Sequence, residues 1–97
     1  MALSKDIVLD NGITLNYHRI DSTSNITNKI SIIRVVSYIN KEQRNKEKEW
    51  DETHNIESVN LFLNDKCYTK DYDKNLNVDI AYEYLKTLDD FIDAKDI

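Results

Sequence analysis

Arg19 and Arg34 both sit inside runs that otherwise read as β-strand, with Tyr17 and Tyr38 close by in the same runs. A guanidinium among apolar strand side chains is costly unless its charge is paired, and an aromatic ring beside it can stack on a planar ligand. Tyr17, Arg19, Arg34 and Tyr38 are therefore the candidate ligand-binding residues. Two readings fit them. Either an oligomer interface or a pocket pairs the arginines, or both pair with carboxylates of the same chain while the tyrosines pack in the core.

Other chemistry finds less footing. Asp71-Tyr72-Asp73-Lys74-Asn75 matches the first three ligand positions of an EF-hand calcium loop, but Leu76 stands where the turn-making glycine belongs and Tyr82 where the bidentate glutamate belongs. No metal site is expected there, and the segment reads as an approach loop to a helix. His18 and His54 have no second His or Cys at metal-ligand spacing, and Cys67 has no local partner. His18, on the outer face of a strand, reads as a surface residue. A single glycine excludes a glycine-rich phosphate loop, so a phosphate-bearing ligand would need Arg, Lys or helix N-termini. Asn25-Ile26-Thr27 fits the glycosylation sequon, but no secretory signal accompanies it. No catalytic residue, cofactor or enzymatic activity is expected.

The elements that must position these residues follow from periodicity. Asn11-Gly12 between two β-prone runs predicts a type I′ hairpin with strands over 5–10 and 13–21. Residues 21–28 are polar and read as a loop or a strand extension. Ile30 to Ile39 is the most β-prone stretch, apolar on both parities, and a strand of that kind needs cover on both faces. Behind Asn40 as N-cap, Lys41 to Trp50 reads as a short, exposed, charged helix that only Trp50 can anchor, followed by a loop over 51–56. A fourth strand is expected over 57–64, with Val59, Leu61 and Leu63 inward and Cys67-Tyr68 continuing or following it after a bulge or turn at Asn64-Asp65-Lys66; Cys67 reads as a small buried or half-buried side chain. Asn77 predicts the N-cap of a helix over 78–92, with Val78, Ala81, Tyr82, Leu85, Leu88 and Ile92 at helical spacing.

The fold class is thus α+β in one domain over 1–97: an antiparallel four-stranded sheet with an N-terminal hairpin, a short charged helix, and a C-terminal amphipathic helix packed on one face. One helix covers one face, yet the third strand asks for two. A second copy of the chain is the simplest remedy, and a homo-oligomer is expected.

Composition narrows the partners. With 40% apolar and 32% charged residues the chain can fold, and with one Gly and no Pro its turns fall to Asn and Asp. No apolar run approaches the roughly 20 residues of a bilayer span. Residues 1–50 carry eight Lys/Arg against six Asp/Glu, and residues 51–97 carry five against twelve. That acidic half repels nucleic acid and anionic membrane, so neither is expected as a partner.

The run Met1 to Ile20, MALSKDIVLDNGITLNYHRI, resembles small uncharacterised proteins encoded by clostridial phages and prophages. Val36-Ser37-Tyr38-Ile39-Asn40 with Lys41-Glu42-Gln43-Arg44, and Tyr82-Glu83-Tyr84-Leu85-Lys86-Thr87, are similar to the same group. The resemblance implies a phage-encoded, non-enzymatic binding protein: a virion component of the tail or baseplate region, or an assembly component, with other phage proteins as partners. The alternative it leaves open is a counter-defence protein that sequesters a host immune signalling nucleotide or inhibits a host defence protein. Either places the chain in the bacterial host cytoplasm and, for the first, in the virion.

Overall fold

Leu3–Val8 (β1), Thr14–Ile26 (β2), Ile30–Tyr38 (β3), Asn64–Asp71 (β4) and Lys95–Asp96 (β5) form one open antiparallel sheet in the order β4-β3-β2-β1-β5. Two helices, Lys41–Thr53 (α1) and Val78–Leu85 (α2), pack against it. This is a computed structural model and describes residues 2–53 and 61–97. Among these, no helix is long and apolar enough to cross a membrane.

The first hairpin closes where Asn-Gly placed it, but by a different turn. Only Gly12 takes a positive φ, +87°, and Asn11 does not. The Gly12 N–H bonds to the Leu9 carbonyl at 2.9 Å and the Leu9 N–H to the Ile13 carbonyl at 2.8 Å. The loop is therefore Asp10-Asn11-Gly12, a tight turn with a left-handed glycine at its end, rather than a two-residue type I′ turn. The second hairpin uses Asn28 at φ +59° where another chain would use glycine, and the Lys29 N–H bonds to the Ile26 carbonyl at 2.9 Å.

The polar stretch 21–26 is strand. Its alternation was hidden by a bulge between Ile20 and Ser22: Ile20 lies opposite Val35, Ser22 opposite Arg34, and Asp21 is the extra residue. A second bulge falls in β1 between Ser4 and Ile7.

Successive residues of β3 enter different cores. Ile33 and Val35 join Leu3, Ile20, Ala81, Tyr82, Leu85 and Phe91 in the core beneath α2, whereas Val36 and Tyr38 join Ala2 and Tyr17 on the other face, where Leu61 and Phe62 pack. Each large apolar side chain so buried contributes about 1.5–3 kcal/mol. The chain thus covers both sides of Ile33–Tyr38 itself. Much of the apolar surplus expected over Ile30 to Ile39 is covered within the chain itself, because α1 and residues 61–62 cover the face that the C-terminal helix leaves open, although Ile39 stays exposed.

The C-terminal helix stops at Leu85 instead of running to 92. Past Lys86 most bonds shorten to three-residue steps, Thr87 to Tyr84, Leu88 to Leu85 and Phe91 to Leu88, with one four-residue bond from Ile92 to Leu88, and the Thr87 hydroxyl donates to the Tyr84 carbonyl at 2.6 Å. The changed twist buries Phe91 and leaves Ile92 half exposed. Asp93, at φ +68°, then turns the chain so that Lys95 and Asp96 pair with Ser4 and Leu3, a fifth strand that periodicity did not show.

The fourth strand is also displaced. It spans Asn64–Asp71 rather than 57–64, Leu63 is half exposed, and residues 57–60 of the expected strand lie outside the described residues. As an outer strand it is polar and charged, the usual protection of a sheet edge. Cys67 on it is exposed, not buried. The helix α1 runs through 51–53, where a loop was expected.

Candidate functional site

Strand β2 presents Tyr17 and Arg19 on the face that Val36 and Tyr38 of β3 share, with Tyr17 directly opposite Tyr38 in the ladder. The two rings meet edge to face at 5.7 Å between centroids. The Arg19 Nε donates to the Tyr38 hydroxyl at 2.9 Å, and its guanidinium carbon lies 5.9 Å from that ring centroid. Three of the four candidate residues therefore form one cluster.

What the residue pattern did not reveal is the acid that closes it. Glu47, in the middle of α1, is 2% exposed. Its Oε1 accepts from the Tyr38 hydroxyl at 2.7 Å, from Arg44 Nη1 at 2.8 Å and from Arg19 Nη2 at 3.4 Å, while its Oε2 accepts from the Leu61 N–H at 2.8 Å. The Asn40 side chain caps α1 by accepting from the Gln43 N–H at 3.1 Å, and so sets the phase that turns Glu47 inward. Glu47, rather than Trp50 alone, anchors this helix.

Burial opposes the Glu47 charge, yet the hydrogen bonds from Tyr38 and Leu61 and the fields of Arg44 and Arg19 outweigh it and hold the carboxyl below its ordinary range. Burial and the bond to Glu47 push the Tyr38 hydroxyl up to about 12. Burial also works against the Arg19 charge, and the bond to Tyr38 with the nearby carboxylates overcomes it. The Arg44 Nε is buried and finds no partner among the described residues.

Arg34 stands apart from this cluster. It bridges Asp21 at 2.6 Å and Asp65 at 2.7 Å, with its guanidinium 5.7 Å from the Phe62 ring centroid. Arg19 also reaches Asp21 at 3.4 Å. The bulged Asp21 is thus the link between the two arginines. Three cations, Arg19, Arg34 and Arg44, are matched in this region by Asp21, Glu47 and Asp65. This is the second of the two readings that the sequence left open.

On the opposite face His18 is 1% exposed, which corrects its reading as a surface residue. Its Nε2 lies 2.7 Å from the Lys5 carbonyl in the β1 bulge, and its Nδ1 lies 2.7 Å from the Ser37 hydroxyl. A carbonyl only accepts, so Nε2 carries the hydrogen and Nδ1 accepts from Ser37. Desolvation lowers the ring's pKa and keeps it neutral. The pair stitches three strands together beneath Phe91, whose ring lies 5.3 Å from the imidazole.

The partial calcium-loop match folds into a turn. The Asp73 Oδ1 accepts from the Asn75 N–H at 2.9 Å and its Oδ2 takes Lys70 at 3.3 Å. Those partners hold Asp73 ionised, the Asn75 N–H most of all. No group of His, Cys, Asp and Glu among the described residues is placed to hold a metal ion.

Beside that turn lies a groove of about 660 Å³, lined by Ile30, Tyr72, Tyr84 and residues 69–71 and 73. The remaining exposed apolar side chains include four at one end of the sheet. Val8 and Ile13 flank the first hairpin there; Ile39 follows β3, and Leu63, whose N–H bonds to the Ser37 carbonyl, precedes β4. Compared with protein-family models, with curated proteins and with solved structures, the chain matches none.

Proposed function

We propose that this chain is a non-enzymatic, self-associating phage protein, a small virion or assembly component, that works through its outer surface and not through the arginine–tyrosine cluster. The observation that carries the reading is the row of Val8, Ile13, Ile39 and Leu63, which are 66%, 39%, 44% and 49% exposed at the same end of the sheet. Exposed apolar side chains of that size, gathered at one end of a sheet, are the kind of surface that a second copy covers. On this reading the oligomer contact lies at the end of the sheet instead of over β3.

The phage assignment rests on the resemblance of residues 1–20, 36–44 and 82–87. A nucleotide-sequestering role finds less support, since a phosphate approaching Arg19 or Arg34 must displace a carboxylate already bonded at 3.4 Å or closer. Two measurements test the reading together. Sedimentation velocity is expected to show a concentration-dependent rise in sedimentation coefficient that Ile39→Lys and Leu63→Lys abolish. Thermal unfolding with cyclic di- and trinucleotides is expected to show no stabilisation. A monomer at all concentrations would overturn the oligomer, and a rise in Tm lost in Arg19→Ala or Arg34→Ala would put the counter-defence role in its place.

A further inference from the structure

The groove between the outer strand β4 and α2 already holds a cation. The Lys70 ammonium lies 5.5 Å from the Tyr84 ring centroid and 3.3 Å from the Asp73 carboxylate, and the side chain is only 18% exposed. A ring face and a carboxylate converging on one ammonium form a cation-binding arrangement. Here a tethered lysine supplies the ligand. The walls are Tyr72 and Tyr84, the latter fixed by its hydroxyl donating to the Thr69 carbonyl at 3.1 Å. The exposed Asp71 makes no ion pair among the described residues.

We infer that this groove receives an arginine or lysine side chain from an extended, basic segment of another protein, with Lys70 as the resident cation that the incoming one displaces. Two further features select that occupant. The groove is lined by Thr69, Lys70 and Asp71 at the end of the outermost strand β4 and by Tyr72 and Asp73 just beyond it, so a chain laid along the end of β4 delivers a side chain to it. The charged lining is acidic, since Asp71 and Asp73 outnumber Lys70, whose ammonium is already paired with Asp73. A guanidinium is the better fit because its plane stacks on tyrosine and its fork spans a carboxylate. This site is separate from the apolar end of the sheet.

The test is an amide NMR titration of the full chain with the peptide acetyl-Val-Thr-Arg-Thr-Val-amide and its counterparts with glutamine or glutamate at the centre. The arginine peptide is expected to shift the resonances of residues 69–73 and Tyr84, and to bind roughly tenfold more tightly than the glutamine peptide. Asp71→Asn, at an exposed position, is expected to weaken binding about threefold. Lys70→Met is the decisive variant: by removing the resident competitor it is expected to tighten binding by about threefold to tenfold. Shifts confined to other surfaces, equal binding of the glutamate peptide, no binding of the arginine peptide, or unchanged or weaker binding in Lys70→Met would each overturn the inference. The readout is local to the groove, so its failure leaves the self-association experiment to stand or fall alone.

Discussion

Replacing Glu47 by glutamine keeps the size of the side chain and removes its charge. In the folded protein the Leu61 N–H, the Tyr38 hydroxyl, Arg44 and Arg19 all converge on this carboxylate. Glutamine has one acceptor oxygen and an NH2 group that faces donors, so at least one buried donor loses its partner. An unsatisfied buried N–H costs about 1–3 kcal/mol, and removing the anion from a buried pair costs about 3–5 kcal/mol. The arginines are only 18% and 16% exposed, but water reaches that fraction and offsets part of the loss. The expected destabilisation is therefore about 2–3 kcal/mol for Glu47→Gln and about 3–5 kcal/mol for Glu47→Ala, which also leaves a void. For a chain of this size the glutamine variant should lower Tm by roughly 8–24 °C.

Urea unfolding followed by far-ultraviolet circular dichroism gives the total. The fluorescence of Trp50, the only tryptophan and a residue of α1, reports whether this helix leaves the sheet first. The helix signal in the variant should change at lower urea than the sheet signal. The pH dependence supplies a second check. Because the folded carboxyl lies below its ordinary 4.5, the unfolded chain takes up the proton first as pH falls. Glu47's contribution is complete above that value, is lost as pH drops through the lowered folded value, and is absent from Glu47→Gln at every pH. A glutamine variant within about 0.5 kcal/mol of the parent, with an unchanged acid limb, would refute the anchoring role.

Three further outcomes are expected. The His18 pKa is lowered from 6.5, so unfolded chains bind the proton that folded ones refuse, and stability should fall as pH drops below 6.5; urea midpoints measured against pH should lose that slope in His18→Gln, which can still donate to Lys5 and accept from Ser37. Tyr82→Phe removes the hydroxyl that accepts from the Ile20 N–H at 3.0 Å beside the β2 bulge, and equilibrium unfolding should register a loss of about 1–3 kcal/mol. At Gly12 a Cβ meets nothing within 4 Å, so Gly12→Ala should cost only the backbone penalty of its positive φ, about 1–2 kcal/mol by the same assay.

Local signals carried the elements whose causes are local. Asn11-Gly12 marked a hairpin, Asn40 and Asn77 marked helix starts, and both caps are made, Asn77 accepting from the Ile80 N–H at 2.9 Å. The remainder depends on distant partners. Glu47 stands among Lys, Glu and Asn in a helix whose composition reads as fully solvated, and its partners Arg19 and Tyr38 lie 28 and 9 residues away. The strand β4 reads NDKCYTKD, with no apolar alternation, because an outer strand buries little. The helix end at Leu85 follows from competing three-residue bonds, not from any Gly or Pro. Of the candidate residues, the sequence placed Arg19 and Arg34 in strands but could not say which carboxylates meet them. It gave no sign of the Lys70 groove, which borrows Tyr84 from α2 and Ile30 from β3.

The extra residue in β2 inverts the facing rule of the strand. Before Asp21, even-numbered side chains such as Ile20 look toward α2; after it, odd-numbered ones do, as Thr23 opposite Ile33 illustrates. Asp21 is therefore a parity marker as well as a counter-ion. Excising it would rotate the whole Ser22–Ile26 arm by half a pleat, sending Asn25 away from Ser31 and the Asp73 carbonyl that it now grips. Replacing it by serine would leave every neighbour in its lane.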